Sequence, residues 1–145
     1  MRKRSRTPLA KAKDKLWKSF KVVVHKRDDS VCITCGKKNL EGANRHAGHF
    51  LPSAACGGFL RYDLRNVWTQ CARCNLFESG AGAEYVRALE DKFTRKFVDQ
   101  IIEDKRVSIK LDVDYVERLN QYYIDLHDTP KNKLMKITKD YKGFY

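Results

Sequence analysis

Apolar residues recur at helical spacing at the start of the chain and again through its second half, and the pattern breaks down between them. Leu9, Leu16, Trp17, Phe20, Val23 and Val24 share one side of a segment whose other side is rich in lysine, which predicts a helix over residues 8–27. Thr7 supplies its N-cap and Pro8 its first position, and the polar run Arg27-Asp28-Asp29-Ser30 ends it. The Trp17/Phe20 face is expected to lie against the segment that follows, leaving the lysines to solvent or phosphate. Residues 31–80 are punctuated by glycine and turn residues. They read as a tight turn at 31–35, a loop at 39–44, short strands at 46–51 and 59–62 with a loop at 52–58 between them, an extended or turn segment at 64–69, and a short helix after Cys74. Three further helices are expected. Tyr85, Val86 and Leu89 mark one at 83–92; Phe97, Val98, Ile101 and Ile102 mark one at 94–105, capped by Thr94. Val116, Leu119, Tyr123 and Leu126 mark one at 113–127, capped by Asp112 or Asp114. Residues 129–145, with Pro130 and many lysines, read as a mobile tail. The expected organisation is thus a basic arm (1–7), a helix plus core (8–80), a helical region (81–128) and a basic tail (129–145).

Composition narrows the class. With 145 residues, 42% hydrophobic and 33% charged, the chain suits one modest core with appendages. No run of apolar residues is long enough to span a bilayer, and no apolar signal core follows the basic start, so a cytoplasmic protein under reducing conditions is expected. The net charge of +12 is uneven: +8 over residues 1–30, +3 over 31–80, −2 over 81–126 and +3 over 127–145. A basic front of this kind suits contact with a polyanion, and Arg2, Lys3, Arg4 and Arg6 of the arm are the first candidates.

Five cysteines add chemistry. Cys32 and Cys35 form one CxxC pair, Cys71 and Cys74 a second, and Cys56 stands alone. A single pair could be a redox motif, but two pairs in a reducing compartment read as four thiolates around a structural Zn²⁺. Gly36 relieves the turn after the first pair. Cys56 reads as a small hydrophobe.

His46, His49, Asn66 and Asn75 lie between the cysteine pairs or directly after the second. The run His46-Ala-Gly-His49, then Gly57-Gly58, Asn66 and Cys71-Ala-Arg-Cys74-Asn75 resembles the HNH (His-Me finger, ββα-metal) nuclease motif. The match is closer to the NinG/Rap family of lambdoid bacteriophage recombination endonucleases. It rests on Trp17, Arg27-Asp28, Cys32–Gly36, His46–His49, Arg61-Tyr62, Asn66, Gln70–Asn75, Ser79-Gly80 and Tyr85, and covers roughly residues 16–90. Two positions depart from that family's pattern: its Asp is His46 here, and its Asn after Ser-Gly is Ala81. The resemblance implies an α+β fold, a small zinc-stapled ββα-metal core with an N-terminal helix and C-terminal helices. It also implies cleavage of branched DNA such as Holliday junctions and D-loops.

By that resemblance His49 is the general base, Asn66 braces the loop, and Asn75 binds a catalytic divalent ion. Phosphodiester hydrolysis calls for a base with a pKa near 7 and a cation that offsets charge on the phosphorane. Mg²⁺ or Mn²⁺ would be held by Asn75 with His46 or a carboxylate such as Glu78 or Asp63, although an imidazole ligand shifts preference toward softer ions. Arg61, Arg65 and Arg73 are the candidate phosphate clamps. Paired cuts at a four-way junction favour a homodimer, and the apolar faces of the C-terminal helices would either supply its interface or cover the zinc module. Two other readings fit the sequence: an HNH endonuclease acting on ordinary duplex DNA, and a non-catalytic zinc-stabilised DNA-binding module.

Overall fold

The computed structural model describes residues 4–54, 56–78 and 80–144; Arg2, Lys3 and Ser79 lie outside these. The first helix, α1 (Pro8–Arg27), has the expected bounds. The Thr7 hydroxyl accepts from the Ala10 N–H at 3.2 Å, and the chain leaves through Asp29 and Ser30, both in the left-handed region (φ 54° and 53°).

One stripe of α1 (Leu16, Phe20, Val23 and Val24) is fully buried and packs in one cluster with Val116, Leu119 and Tyr123 of α5 (Val113–Asp125). Phe20 and Tyr123 meet with ring centroids 4.8 Å apart. The apolar face of α5 is therefore consumed against α1. It neither covers the cysteines nor stands open for a partner, as the sequence alone had left possible. On the other side of the molecule α3 (Gly82–Lys92) packs against α4 (Arg95–Asp104), where the Thr94 hydroxyl caps Phe97 N–H at 3.1 Å.

Two segments differ from the reading of the sequence. The expected strand at 59–62 is a helical turn, α2 (Gly58–Arg61). Phe59 and Leu60 are adjacent and both buried, joining Cys56 and Ile101 in one apolar cluster; a strand would have sent one of them to the opposite side. Cys56 does serve there as a small hydrophobe. The expected mobile tail is instead largely a helix, α6 (Lys131–Asp140), with Leu134 and Thr138 fully buried. These two sit one helical turn apart among lysines that face outward, so the composition of a tail hides the face of a helix.

The sheet has two strands, β1 (His46–His49) and β2 (Val67–Gln70), antiparallel with His46 opposite Gln70, Gly48 opposite Trp68 and His49 opposite Val67. All four residues of β2 are buried. Alternation sends Val67 and Thr69 toward α1, where the His25 ring nitrogen Nδ1 meets Thr69 Oγ1 at 2.8 Å. Trp68 goes the other way, to Tyr85, Leu89 and Val98.

Arg27 locks these layers together. Its side chain is wholly buried, donates to the Leu64 and Val67 carbonyls at 2.6 and 2.8 Å, and pairs with Asp28 at 2.7 Å. It also reaches Thr138 Oγ1 at 3.2 Å and lies 3.6 Å from the centre of the Trp68 ring. One guanidinium thus ties α1, β2 and α6.

Candidate metal centre and flanking histidines

The first cysteine pair follows the end of α1, and the second lies where β2 runs into a short helical turn, Arg73–Phe77. The Ile33 N–H donates to the Thr69 carbonyl at 2.9 Å, which docks the first pair on β2. Each pair is curled by a backbone bond across its loop: Gly36 N–H to the Cys32 carbonyl at 2.9 Å, and Asn75 N–H to the Cys71 carbonyl at 3.0 Å. Gly36 has φ 77°, a conformation that favours glycine.

The sulfurs of Cys32, Cys35, Cys71 and Cys74 all lie within 4.8 Å of one another. Metal–sulfur bonds of about 2.3 Å in a tetrahedron place sulfurs about 3.8 Å apart, and Cys35 and Cys71 stand at 3.8 Å. The four cysteines could therefore bind a metal such as zinc. Burial opposes ionisation of Cys32, but the Thr34 hydroxyl and nearby backbone N–H groups outweigh it and bring the thiol down to about 6. Cys74 is pushed up to about 12, first by burial and then by crowding from the other sulfurs. One thiol ionises readily while its neighbour resists, an imbalance that a bound cation removes.

Asn75 directly follows the last cysteine, so the cage fixes its position. Its amide Nδ2 donates to His46 Nδ1 at 3.0 Å, while His46 Nε2 bonds the Ala43 carbonyl at 2.8 Å. A carbonyl partner makes Nε2 the protonated nitrogen and leaves the lone pair on Nδ1. Gly48 is required beside this pair: a Cβ there would lie 1.9 Å from Gln70 Oε1 and 3.0 Å from Asn75 Oδ1. Gln70 is fully buried, and its Oε1 has no hydrogen-bond partner among the described residues. Its Nε2 donates to the Gly80 carbonyl at 3.0 Å and reaches Thr34 Oγ1 at 3.5 Å, next to the Cys32 sulfur. His46, Gln70 and Asn75 thus gather on one face of the hairpin beside the cage. In the sequence Gln70 opens the Gln70–Asn75 block but carries no assigned role; its pairing opposite His46 is what brings it to the site.

His49 lies on the other face of β1. Its ring stacks on Trp17 (centroids 5.6 Å apart, planes at 7°), and its Nε2 bonds the Arg61 carbonyl at 2.8 Å. Burial lowers its pKa, partly offset by that carbonyl, so the ring is neutral at pH 7 with its lone pair on Nδ1. Asn66 is fully buried. It accepts from Leu51 N–H at 2.8 Å and donates to the Leu51 and Leu60 carbonyls at 3.0 and 3.1 Å. It therefore holds both sides of the loop that gives His49 its hydrogen bond. The structure brings His46 to Asn75 and braces His49 through Asn66, but His49 and Asn75 belong to opposite faces of one strand.

The other candidates divide sharply. Arg65 is not available to clamp phosphate: it is buried, bonded to both oxygens of Asp63 and to Asp104 at 2.7 Å. The same pairing removes Asp63 as a metal ligand, since its carboxylate is fully buried against Arg65. Glu78 pairs with Arg73 at 3.1 Å on the surface. Arg4, Arg6 and Arg61 are exposed, and Arg6 pairs with Asp14. Missed in the sequence were Lys13, Lys21 and Arg45. Lys13 and Arg61 flank His49 in a hollow of about 280 Å³, and Lys21 and Arg45 flank His46 and Asn75 in one of about 300 Å³. Trp17 borders both hollows. Lys13, Trp17 and Lys21 recur every four residues, one stripe of α1 laid along β1, and that spacing was the available signal.

The fold is a mixed α/β structure with a small two-stranded sheet and a four-cysteine cluster suited to a metal ion. The bacteriophage lambda NinG protein family model matches residues 1–132, and the chain belongs to that family. Proteins named ninG resemble it from Escherichia phage 933W (38% identical over 79 residues, 54% of this chain and 38% of that protein) and Salmonella phage P22 (37% over 84 residues, 57% and 40%). The ninG protein of Escherichia phage lambda is 37% identical over 79 residues, 54% of this chain and 37% of its own. The match thus spans about two fifths of these relatives' length. No solved structure matches the chain. No helix among the described residues is long and apolar enough to cross a membrane.

Proposed function

We propose that this chain is a metal-dependent DNA endonuclease of the HNH type, selective for branched recombination intermediates. The observation that carries the reading is the unit formed by β1, β2 and the helical turn after Cys74, in which the cysteine cage holds Asn75 against His46 at 3.0 Å. The basic stripe of α1, with Arg45 and Arg61, gives that unit a surface suited to phosphate. A divalent cation such as Mg²⁺ or Mn²⁺ would supply charge stabilisation at phosphorus. The Asn75 and Gln70 amide oxygens are the groups that would hold it, and His46 Nδ1 would join them by exchanging its hydrogen bond from Asn75 Nδ2 for the cation. This set carries no carboxylate, so phosphate oxygens of the substrate would have to complete it. His49, neutral and with Nδ1 unprotonated, is the base that takes the proton of the attacking water. Lys13, Lys21, Arg45 and Arg61 orient the strand. A homodimer would deliver the paired cuts that junction resolution needs.

The test is incubation with duplex, fork and four-way junction DNA, with and without Mg²⁺ or Mn²⁺. Metal-dependent cutting of branched substrates alone is expected, and His49→Ala should keep DNA binding and metal content while losing cleavage. Cutting of every substrate would replace the reading with an ordinary duplex nuclease. A second reading, a non-catalytic zinc-held DNA-binding module, is favoured by one observation: strand alternation sends His49 and the His46–Asn75 pair to opposite faces of β1, and each lines its own hollow with Trp17 between them. Binding without cutting under all conditions would select it.

A further inference from the structure

A hollow of about 1010 Å³ lies between α4 and the end of α6, away from the candidate site and more than three times the volume of the hollows beside the histidines. Its wall carries Lys92, Lys96, Lys139 and Lys142. Among the described residues none of the four is ion-paired, and all are exposed. Of the two carboxylates in the wall, Asp104 is taken by Arg65 at 2.7 Å, which leaves Asp140 alone against four lysines. Between the cations stand Phe93, Phe97 and Tyr141, each half-buried; the Phe93 and Phe97 rings are stacked with centroids 4.1 Å apart.

We infer that this hollow is a second nucleic-acid site, which takes an unpaired single strand. Cations alone would suit any polyanion. Rings set inside a cationic hollow favour a strand whose base faces are open, because in a duplex those faces are stacked on one another. The concave shape argues the same way, since a duplex would need a broad basic surface. The site would give a nuclease of branched DNA a grip on the single-stranded arm, separate from the place of cutting. The inference therefore rests on the reading that the chain handles nucleic acid, and it assigns the form recognised here.

The experiment measures fluorescence anisotropy of fluorescein-labelled oligothymidylate, and of a matched duplex, with the full chain. Lys96→Glu, Lys139→Glu and Lys142→Glu are combined in one variant, and the corresponding Gln triple serves as a second in case charge reversal disturbs folding. Single-strand affinity should fall by about tenfold or more at low salt, and the salt slope should drop by about two, the loss expected for three lysine–phosphate contacts. Duplex affinity should fall clearly less than single-strand affinity, above all in the Gln triple, which removes three charges without reversing them. Photocrosslinks from an iodouracil-containing oligonucleotide should map to Phe93, Phe97 or Tyr141. Unchanged single-strand affinity in both variants, crosslinks confined to other segments, or polyglutamate competing as well as oligothymidylate would overturn the assignment. If the unaltered chain binds neither duplex nor single strand, the nucleic-acid reading fails as a whole. If it binds duplex and junction normally while the variants hold the single strand unchanged, only the second site falls.

Discussion

The two faces of β1 are organised by different physics, although they are separated by a single layer of backbone. On one face His46, Gln70 and Asn75 are placed by the cysteine cage: Asn75 is covalently next to Cys74, and Gln70 contacts Thr34 beside Cys32. On the other, His49 and Thr69 are placed by α1, through the Trp17 stack and the His25 bond. Polar groups on the first face depend on the cysteine turns keeping their shape, and so on any metal the four sulfurs bind. Those on the second depend on exclusion of water by an apolar helix. The two should therefore fail under different conditions, which makes them separable by experiment.

The strongest separation is metal removal. Cys71→Ser, or chelation, should withdraw metal-linked folding free energy of about 10 kcal/mol. Circular dichroism and metal content are expected to show collapse of the cage face, with residual helix from the α1–α5 pair. A Cys71→Ser chain that melts like the parent would remove the cage from the account. The next separation is acid. His25 is lowered to about 4, chiefly by burial and then by Arg45, from an unfolded value near 6.5. A depressed histidine contributes stability that is complete above pH 6.5 and is lost as pH falls toward 4, here about 3 kcal/mol. Urea titrations across that window should show this loss, and His25→Asn should flatten the profile.

A smaller effect is expected at Gly48→Ala. The new methyl group would press on Gln70 Oε1, which lies in a fully buried side chain. Thermal melts should register about 2 kcal/mol, and NMR shifts should be larger at His46 than at His49. Least is expected of Arg73→Ala. It breaks a surface pair with Glu78 in which the arginine side chain is 81% exposed, so stability should move by less than about 0.5 kcal/mol. A larger change would mean that the helical turn after Cys74 leans on that pair.

Much of this was legible in the sequence where information is local. Thr7, Pro8 and a repeating apolar stripe define α1, and CxxC spacing alone gathers two sulfurs at each end of the cage. What stayed hidden depends on partners distant along the chain. Phe59 and Leu60 read as strand until Ile101 supplies the apolar cluster that buries both. Arg65 reads as a phosphate clamp because its local partner Asp63 looks like a surface acid, until burial and Asp104, far along the chain, close the pair off. The face of α6 is drowned by its lysines, and Leu134 becomes a core residue only because α1 and α5 leave a space for it. At the candidate site the sequence grouped His46, His49 and Asn75, while strand alternation separates His49 from the other two.

The family match ends at residue 132, whereas Thr138, which closes over Arg27, lies beyond it. Removing the residues after 132 from this chain would therefore strip one hydrogen-bond partner from a wholly buried guanidinium.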